Sequence, residues 1–381
     1  MLRVLSIFGT RPEAVKMAPV IQALRVRPEI ESRICVTAQH RQMLDQVLDL
    51  FDLHPDFDLD LMRHDQTLAG LTAEIFTRLD PLLKKEKPDW ILVQGDTTTV
   101  MAASLNAFYH HIRVGHVEAG LRTGDRSQPF PEEINRRVAS VVADLHFAPT
   151  GRAVANLQTE GIPDWRIALT GNPVIDALNA IISKPVPAAV RDFLKEKDIR
   201  PGWKKMILVT AHRRENFGAP IESICLAIRD LASAYPEQVE LVYPVHLNPN
   251  IQEPVHRLLD GIPNVTLLPP LEYLSLVHLM RASELVLTDS GGIQEEATGL
   301  GKPTLVLREV TERPEGLEAG VLSLVGTDRE RIVQETERLL EDRVAYEKMA
   351  HASNPFGDGH ASEKIVSALL AFQEQFSPPA F

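Results

Sequence analysis

Short apolar runs recur along the chain, each followed by a longer stretch with the spacing of a helix. In the first half they fall at Arg3–Phe8, Arg33–Thr37, Trp90–Val93, Val114–Val117, Leu145–Ala148 and Ile167–Leu169. In the second half they fall at Met206–Val209, Glu240–Val245, Val265–Leu268, Leu285–Leu287, Thr304–Leu307 and Ser323–Val325. Strands that alternate with helices predict parallel sheets covered by helices on both faces. Two such sets predict an α/β protein of two Rossmann-like, doubly wound domains, residues 1–171 and 172–359, with the boundary near Gly171-Asn172-Pro173. Ser183–Gly202, rich in Pro and charge, reads as peripheral helix and loop. Ser362–Phe372 has the pattern of an amphipathic helix, and the terminal segment of 360–381 is expected to cross back onto the first domain. Sheets of this kind take ligands at the carboxyl ends of their strands. The functional residues are therefore expected in a cleft between the domains.

Composition narrows the class. The 381 residues are 44% hydrophobic and 24% charged, as in an ordinary globular protein. No apolar run is long enough to span a bilayer, and Met1-Leu2-Arg3 leads straight into a strand pattern rather than a signal segment. Cys35 and Cys225 are the only cysteines, which argues against a disulfide framework and a cysteine zinc site. A cytoplasmic protein with no membrane partner is expected. The net charge of −12 argues against a broad nucleic-acid surface, so any anion must be held by a local cluster of Arg, Lys and His. The 13 histidines show no HExxH-like spacing, and no catalytic metal is expected.

The chemistry-bearing motifs sit where the strand pattern stops. Thr288-Asp289-Ser290-Gly291-Gly292 ends one strand and leads into Gln294-Glu295-Glu296-Ala297, which reads as the first turns of a helix. A strand, a Ser-Gly-Gly turn and a helix start make an anion site, because free N–H groups and the helix dipole favour a phosphate. Glu296, six residues past Ser290, is placed to accept hydrogen bonds from sugar hydroxyls. A phosphate beside a diol acceptor suggests a nucleotide. Phe8-Gly9-Thr10-Arg11-Pro12-Glu13 follows the first strand, with Pro12 suited to a helix start. Arg11 and Lys16 there are either surface cations or donors to a diphosphate. Asp96, in Gln94-Gly95-Asp96-Thr97-Thr98-Thr99, either caps the next helix or carries chemistry. Glu118, in His116-Val117-Glu118-Ala119-Gly120, lies at a sheet edge, where a carboxylate acts as an acid or base. Pro129-Phe130-Pro131-Glu132-Glu133-Ile134-Asn135-Arg136 adds two more carboxylates at a helix start. His212, His246 and Arg313 bring further polar groups to strand ends in the second half.

Taken in order, these motifs resemble the non-hydrolysing UDP-N-acetylglucosamine 2-epimerase family over nearly the whole chain. Thr210-Ala211-His212-Arg213-Arg214-Glu215-Asn216, Thr311-Glu312-Arg313-Pro314-Glu315 and Asn354-Pro355-Phe356-Gly357-Asp358-Gly359 belong to the same series. The resemblance implies a GT-B-like fold of two Rossmann-like domains. It implies a homodimer that interconverts UDP-N-acetylglucosamine and UDP-N-acetylmannosamine without cofactor or metal. In that reaction UDP is eliminated in anti fashion, 2-acetamidoglucal stays bound, and UDP adds back. The resemblance gives Arg11, His212, Ser290, Gly291 and Gly292 to the diphosphate and Glu296 to the ribose. Asp96, Glu118 and Glu132 are the proton-transfer candidates, with His212 counted among the catalytic residues. Lys16, Arg136, His246 and Arg313 support substrate and charge. It also implies a second, regulatory UDP-N-acetylglucosamine site using Gln39, Gln42, Gln66 and Arg213, together with Glu132 and His246. Asp65 stands where some regulated relatives carry an Arg, and Leu276 where relatives often carry a Phe against uracil. A UDP-sugar-dependent glycosyltransferase of the same fold is the alternative enzyme, and a nucleotide-sugar sensor the non-catalytic one. Solvent deuterium entering at C2 without an acceptor separates the epimerase from both.

Overall fold

The computed structural model describes residues 1–37, 41–61, 66–200 and 202–376, with the backbone alone for residues 41–43. The chain divides into two compact units, Met1–Asn179 with Phe356–Phe381 and Ala180–Pro355.

The first unit is built on a parallel sheet of β1 Leu2–Phe8, β2 Ile30–Val36, β3 Phe57–Asp58, β4 Trp90–Gln94, β5 Arg113–Val117, β6 Leu145–Ala148 and β7 Ile167–Leu169. Among the described residues its strand order is β3-β2-β1-β4-β5-β6-β7. The second has β8 Lys205–Thr210, β9 Val239–Pro244, β10 Val265–Leu268, β11 Leu285–Thr288, β12 Thr304–Val306 and β13 Leu322–Leu324, in the order β10-β9-β8-β11-β12-β13. In each sheet the chain starts in the middle, winds outward to one side, then returns to build the other. The point of return lies between β1 and β4 in one unit and between β8 and β11 in the other, where doubly wound sheets bind ligands. Every strand expected from the apolar runs is present. Only β3, two residues long, gives no such run.

The central strands are largely apolar because helices cover both faces, whereas β2 carries the partly exposed Glu31, Ser32 and Arg33 near its start. Ile7, Ile91, Val93 and Val114 are fully buried in the first unit, as are Ile207, Val209, Leu241 and Leu287 in the second. No helix among the described residues is long and apolar enough to cross a membrane.

The returning helix Ala361–Gln375 belongs to the first unit and is held at both ends. At its start Asp176 accepts the backbone N–H groups of Ala361 and Ser362 at 3.1 and 2.8 Å. At its end Gln373 Oε1 accepts from Trp90 Nε1 at 3.0 Å and Arg113 at 2.8 Å. The Asn172 N–H also donates to the Phe356 carbonyl at 2.8 Å. These bonds keep the helix start after Pro173 with the first unit, so the observed division follows Asn179 rather than Gly171.

Phe372 packs edge-on against Trp90, with ring centroids 5.4 Å apart, and stacks on Trp165 at 5.9 Å. Phe372→Ala should destabilise the first unit by about 3 kcal/mol, the usual cost of emptying a buried aromatic site. Urea unfolding checks this, and a loss under 1 kcal/mol would show that the helix is not anchored through this ring.

Candidate active site

The first unit gathers its polar side chains at the carboxyl ends of β1, β4 and β5. Thr10 caps the helix Arg11–Arg25 in a capping box with Glu13. Glu13 accepts from the N–H groups of Gly9 and Thr10 at 3.0 and 2.7 Å and from the Thr97 hydroxyl at 2.7 Å. Burial pushes the Glu13 carboxyl above its ordinary value, and these bonds oppose the shift. Its work is to tie the turn after β1 to the turn after β4. Arg11, the first residue of that helix, is partly buried, and Lys16 is buried. Thr97, not Asp96, caps the helix Thr98–Tyr109. Asp96 instead accepts from Arg136 Nη2 at 2.5 Å.

Glu118 is the centre of this group. Its backbone is left-handed, with φ 62°, a conformation that costs a residue with a Cβ about 1 kcal/mol. Gly120 has φ 87°, and a Cβ there would come within 2.3 Å of the Ala153 carbonyl oxygen, so only glycine lets this turn lie on the helix Gly151–Thr159. The Glu118 side chain is ion-paired with Lys16. Asn172 Nδ2 donates to Oε1 at 2.9 Å and Gln94 Nε2 to Oε2 at 2.6 Å. Arg136 donates to the Glu118 carbonyl oxygen and lies 3.9 Å from Oε2. One guanidinium therefore joins Glu118 to Asp96. Glu132 opens the helix Glu132–Val142 one turn before Arg136 and is partly exposed. Its neighbour Glu133 is buried and accepts from the Thr123 N–H at 3.1 Å.

His116, in β5, hydrogen-bonds the Gly95 carbonyl through Nε2 at 2.7 Å. Burial, reinforced by Arg136, pushes its imidazole down to about 3. His146 stands opposite it in β6 and is pushed down to about 3 by burial and by His116.

The second unit places its polar groups at the ends of β8 and β11. Asp289 is fully buried. Its Oδ2 accepts from the backbone N–H groups of His212 and Arg213, both at 2.8 Å, and from Asn216 Nδ2 at 2.9 Å. It thereby folds the turn after β8 against the turn after β11. Burial lowers the pKa of His212, the facing Asp289 carboxylate opposes this, and His246 and Arg213 add to the lowering. The His212 and His246 rings stack, with centroids 5.4 Å apart and planes 12° apart. His246 Nδ1 accepts from the Asn248 N–H at 3.1 Å, so a neutral His246 carries its proton on Nε2.

Ser290 is the N-cap of the helix Gly291–Gly299, and its side chain makes no capping bond. The helix thus begins at Gly291, earlier than the Gln294 start its pattern suggests. A Cβ on Gly291 would lie 3.7 Å from Arg213 Nη2, 3.7 Å from Glu312 Oε2 and 3.8 Å from Arg313 Nη2, whereas one on Gly292 would meet nothing within 4 Å. Two guanidinium groups, with the Glu312 carboxylate paired to Arg313, therefore flank the helix start, where free N–H groups and the dipole suit an anion. Arg313 is buried and ion-paired with Glu295. Glu296, one residue on, is buried and accepts from the Tyr273 hydroxyl at 3.2 Å. Leu276 packs partly buried against an apolar cluster with Met206 and Leu208.

The structure joins Lys16, Asp96, Glu118 and Arg136 in one cluster. It brings His212, Arg213, His246, Ser290, Gly291, Gly292, Glu296 and Arg313 to neighbouring strand ends in the other unit. Gln66 is partly buried just before the helix Leu68–Glu86. Gln39, Asp65 and the side chain of Gln42 lie outside the described residues. Gln94, Asn172, Asn216, Tyr273 and Asp289 have roles that motif reading did not assign. Each is a polar residue inside or beside a buried strand end, which was the available signal. Among the described residues no His, Cys, Asp and Glu side chains cluster in a way that would hold a metal ion.

Two doubly wound parallel sheets, each with its polar groups gathered at strand ends, are the architecture of a GT-B-like protein. The chain belongs to the UDP-N-acetylglucosamine 2-epimerase family, a family of isomerases, whose profile matches residues 22–370. A Yersinia pestis UDP-N-acetylglucosamine 2-epimerase is 53% identical over 374 residues, covering 98% of this chain and 99% of its own. The crystal structure of the Neisseria meningitidis UDP-GlcNAc 2-epimerase bound to UDP-GlcNAc is similar with TM-score 0.91 and 49% identity, over 97% of this chain and all of that one. That of the Methanocaldococcus jannaschii enzyme in complex with UDP-GlcNAc and UDP is similar with TM-score 0.82 and 33% identity, over the same shares.

The two buried histidines make stability depend on pH. Both have folded values of about 3 against an ordinary 6.5, so the unfolded chain binds protons that the folded one refuses. Their contribution is complete above pH 6.5 and falls as pH drops toward 3, by about 1.4 kcal/mol per pH unit for each histidine. His146→Leu should remove one share. Urea unfolding from pH 7.5 to 4.5 should show the variant gaining on the parent by about that amount per unit below 6.5, and parallel curves would refute it.

Proposed function

We propose that the chain interconverts UDP-N-acetylglucosamine and UDP-N-acetylmannosamine at C2. UDP leaves C1 in anti fashion as C2 loses its proton, and 2-acetamidoglucal remains bound. The proton then returns to the opposite face of C2 and UDP adds back to C1. The observation that carries this reading is the buried Glu118 carboxylate, which shares Arg136 with Asp96. Epimerisation needs proton transfer on both faces of one carbon, and a single base does not suffice for that geometry. Asp96, Glu118 and Glu132 divide the two transfers. Because Arg136 bridges two of them, a change of charge on one is felt by the other. Lys16 supports the Glu118 carboxylate.

The diphosphate is assigned to Arg11, His212, Arg313 and the Ser290-Gly291-Gly292 turn. Burial lowers the pKa of His212 and favours its uncharged imidazole, a ring that holds the diphosphate by hydrogen bonding, and the negative charge of a bound diphosphate opposes that lowering. Glu296 is assigned to the ribose hydroxyls, and the His246 ring, stacked on His212, orients it. Retaining UDP is what distinguishes this chemistry from hydrolysis, and guanidinium donors at a helix start serve that purpose. The reading includes a homodimer, and no metal or nicotinamide takes part in it.

Incubation with UDP-N-acetylglucosamine in deuterated water should place deuterium at C2 of both sugars with no acceptor present. Absence of deuterium would favour a glycosyltransferase or a sensor, and free N-acetylmannosamine would indicate a hydrolysing enzyme. Glu118→Gln should lower turnover by about 10²-fold or more while sparing UDP binding, and near-normal turnover would remove Glu118 from the chemistry.

A second UDP-N-acetylglucosamine site formed by Gln39, Gln42, Gln66 and Arg213 is the regulatory part of the proposal. Started from UDP-N-acetylmannosamine alone, the reaction should show a lag that trace UDP-N-acetylglucosamine abolishes. Hyperbolic kinetics without a lag would count against that site.

A further inference from the structure

Two carboxamides hold the Glu118 carboxylate, one at each oxygen. Gln94 is the last residue of β4 and pairs in register with Val117, the residue before Glu118. That register fixes its side chain beside the carboxylate, and it donates to Oε2 at 2.6 Å. Asn172 comes from the far side of the fold, just after β7. It is fully buried and donates to Oε1 at 2.9 Å. Its own Oδ1 accepts from the Val174 N–H at 3.1 Å, and its backbone N–H donates to the Phe356 carbonyl at 2.8 Å. Both amides are thus locked by backbone, one by the sheet and one by the meeting of the outgoing and returning chain.

We propose that Gln94 and Asn172 are positioning residues for the epimerisation, forming an amide clamp that sets the direction and protonation of the Glu118 carboxylate. The clamp rests on the reading of Glu118 as a proton-transfer group. An amide nitrogen donates and does not accept, so each of these bonds favours the ionised acid over the neutral one. Charged and titratable groups facing Glu118 among the described residues include Lys16 from the helix after β1, Arg136 and Asp96 across their shared ion pair, and His116 in β5. Lys16 and Arg136 act in the same direction as the amides, and Asp96 opposes them. The neutral His116 adds no charge, and its bond to the Gly95 carbonyl fixes the loop between Gln94 and Asp96. Two rigid donors on two oxygens also leave the carboxylate no rotational freedom. Proton transfer to a carbon acid depends on that alignment.

The test is the pH dependence of kcat/KM in Gln94→Met and Asn172→Ser, with C2 deuterium exchange as the readout. Methionine keeps the volume of Gln94 without the donor. Serine retains an oxygen for the Val174 N–H but falls short of Glu118. Each variant should move the acid limb up by about one pH unit, the share expected for one lost bond to a carboxylate. Each should lower kcat by roughly ten- to a hundredfold, with KM little changed. A merely structural role would lower activity evenly across pH and leave the limb where it was, and that result overturns the clamp. If the unmodified protein incorporates no deuterium, the epimerase reading itself fails and takes the clamp with it. Should one variant not fold, the other decides alone, because the two amides serve different oxygens.

Discussion

Burying a carboxylate is expensive unless donors replace the water it loses, and the first unit is arranged to meet that demand at Glu118. The donors come from segments far apart in sequence. Lys16 stands 102 residues before Glu118 and Asn172 stands 54 after it. The strand order β1-β4-β5-β6-β7, with the chain's return between β1 and β4, brings the carboxyl ends that carry them to one side of the sheet. The left-handed turn at Glu118 and the close approach of Gly120 to Ala153 follow from the same demand, since the side chain must fold back into its donors. The capping box at Glu13 and the bond from His116 to Gly95 steady the neighbouring turns.

The second unit solves a different problem with the same architecture. Its buried carboxylate, Asp289, gathers backbone rather than cations, taking two N–H groups and the Asn216 amide on one oxygen. The fold itself satisfies that oxygen, while the buried Oδ1 takes no hydrogen bond and faces His212 Nδ1 at 3.8 Å. What this sets in place is the turn carrying His212 and Arg213 beside the start of the helix Gly291–Gly299. Arg313 there is in turn restrained by an acid, Glu295. Such restraint holds guanidinium groups in position ahead of a ligand, so less freedom is lost when an anion arrives.

Much of this was legible beforehand. Strands buried on both faces leave largely apolar runs, so all but Phe57–Asp58 could be read, with β2 legible only from Arg33 because Glu31 and Ser32 break its run, and their alternation with helices specified two parallel sheets. Motifs at strand ends pointed to Arg11, Asp96, Glu118, His212 and Ser290 because doubly wound sheets place ligands there. The helix Ala361–Gln375 was visible from its amphipathic pattern. Less visible were residues whose importance lies in a partner. Gln94 looks like the polar end of a strand, Asn172 like a turn residue before Pro173, and Asp289 like part of a Gly-rich turn.

The sequence by itself determined the elements, their class and the strand ends at which polar residues collect, because these follow from local periodicity and from turn chemistry. Tertiary structure decided which polar groups meet. Asp96 reads as a helix cap on local grounds, yet Thr97 takes that position and Asp96 turns to Arg136, forty residues away. Glu132 and Glu133 are indistinguishable in the chain, and packing alone commits Glu133 to the Thr123 turn. The physical reason is the same in each case. Periodicity is written in neighbouring residues, whereas the pairing of a buried charge depends on sheet order, register and the direction in which a few locked side chains point.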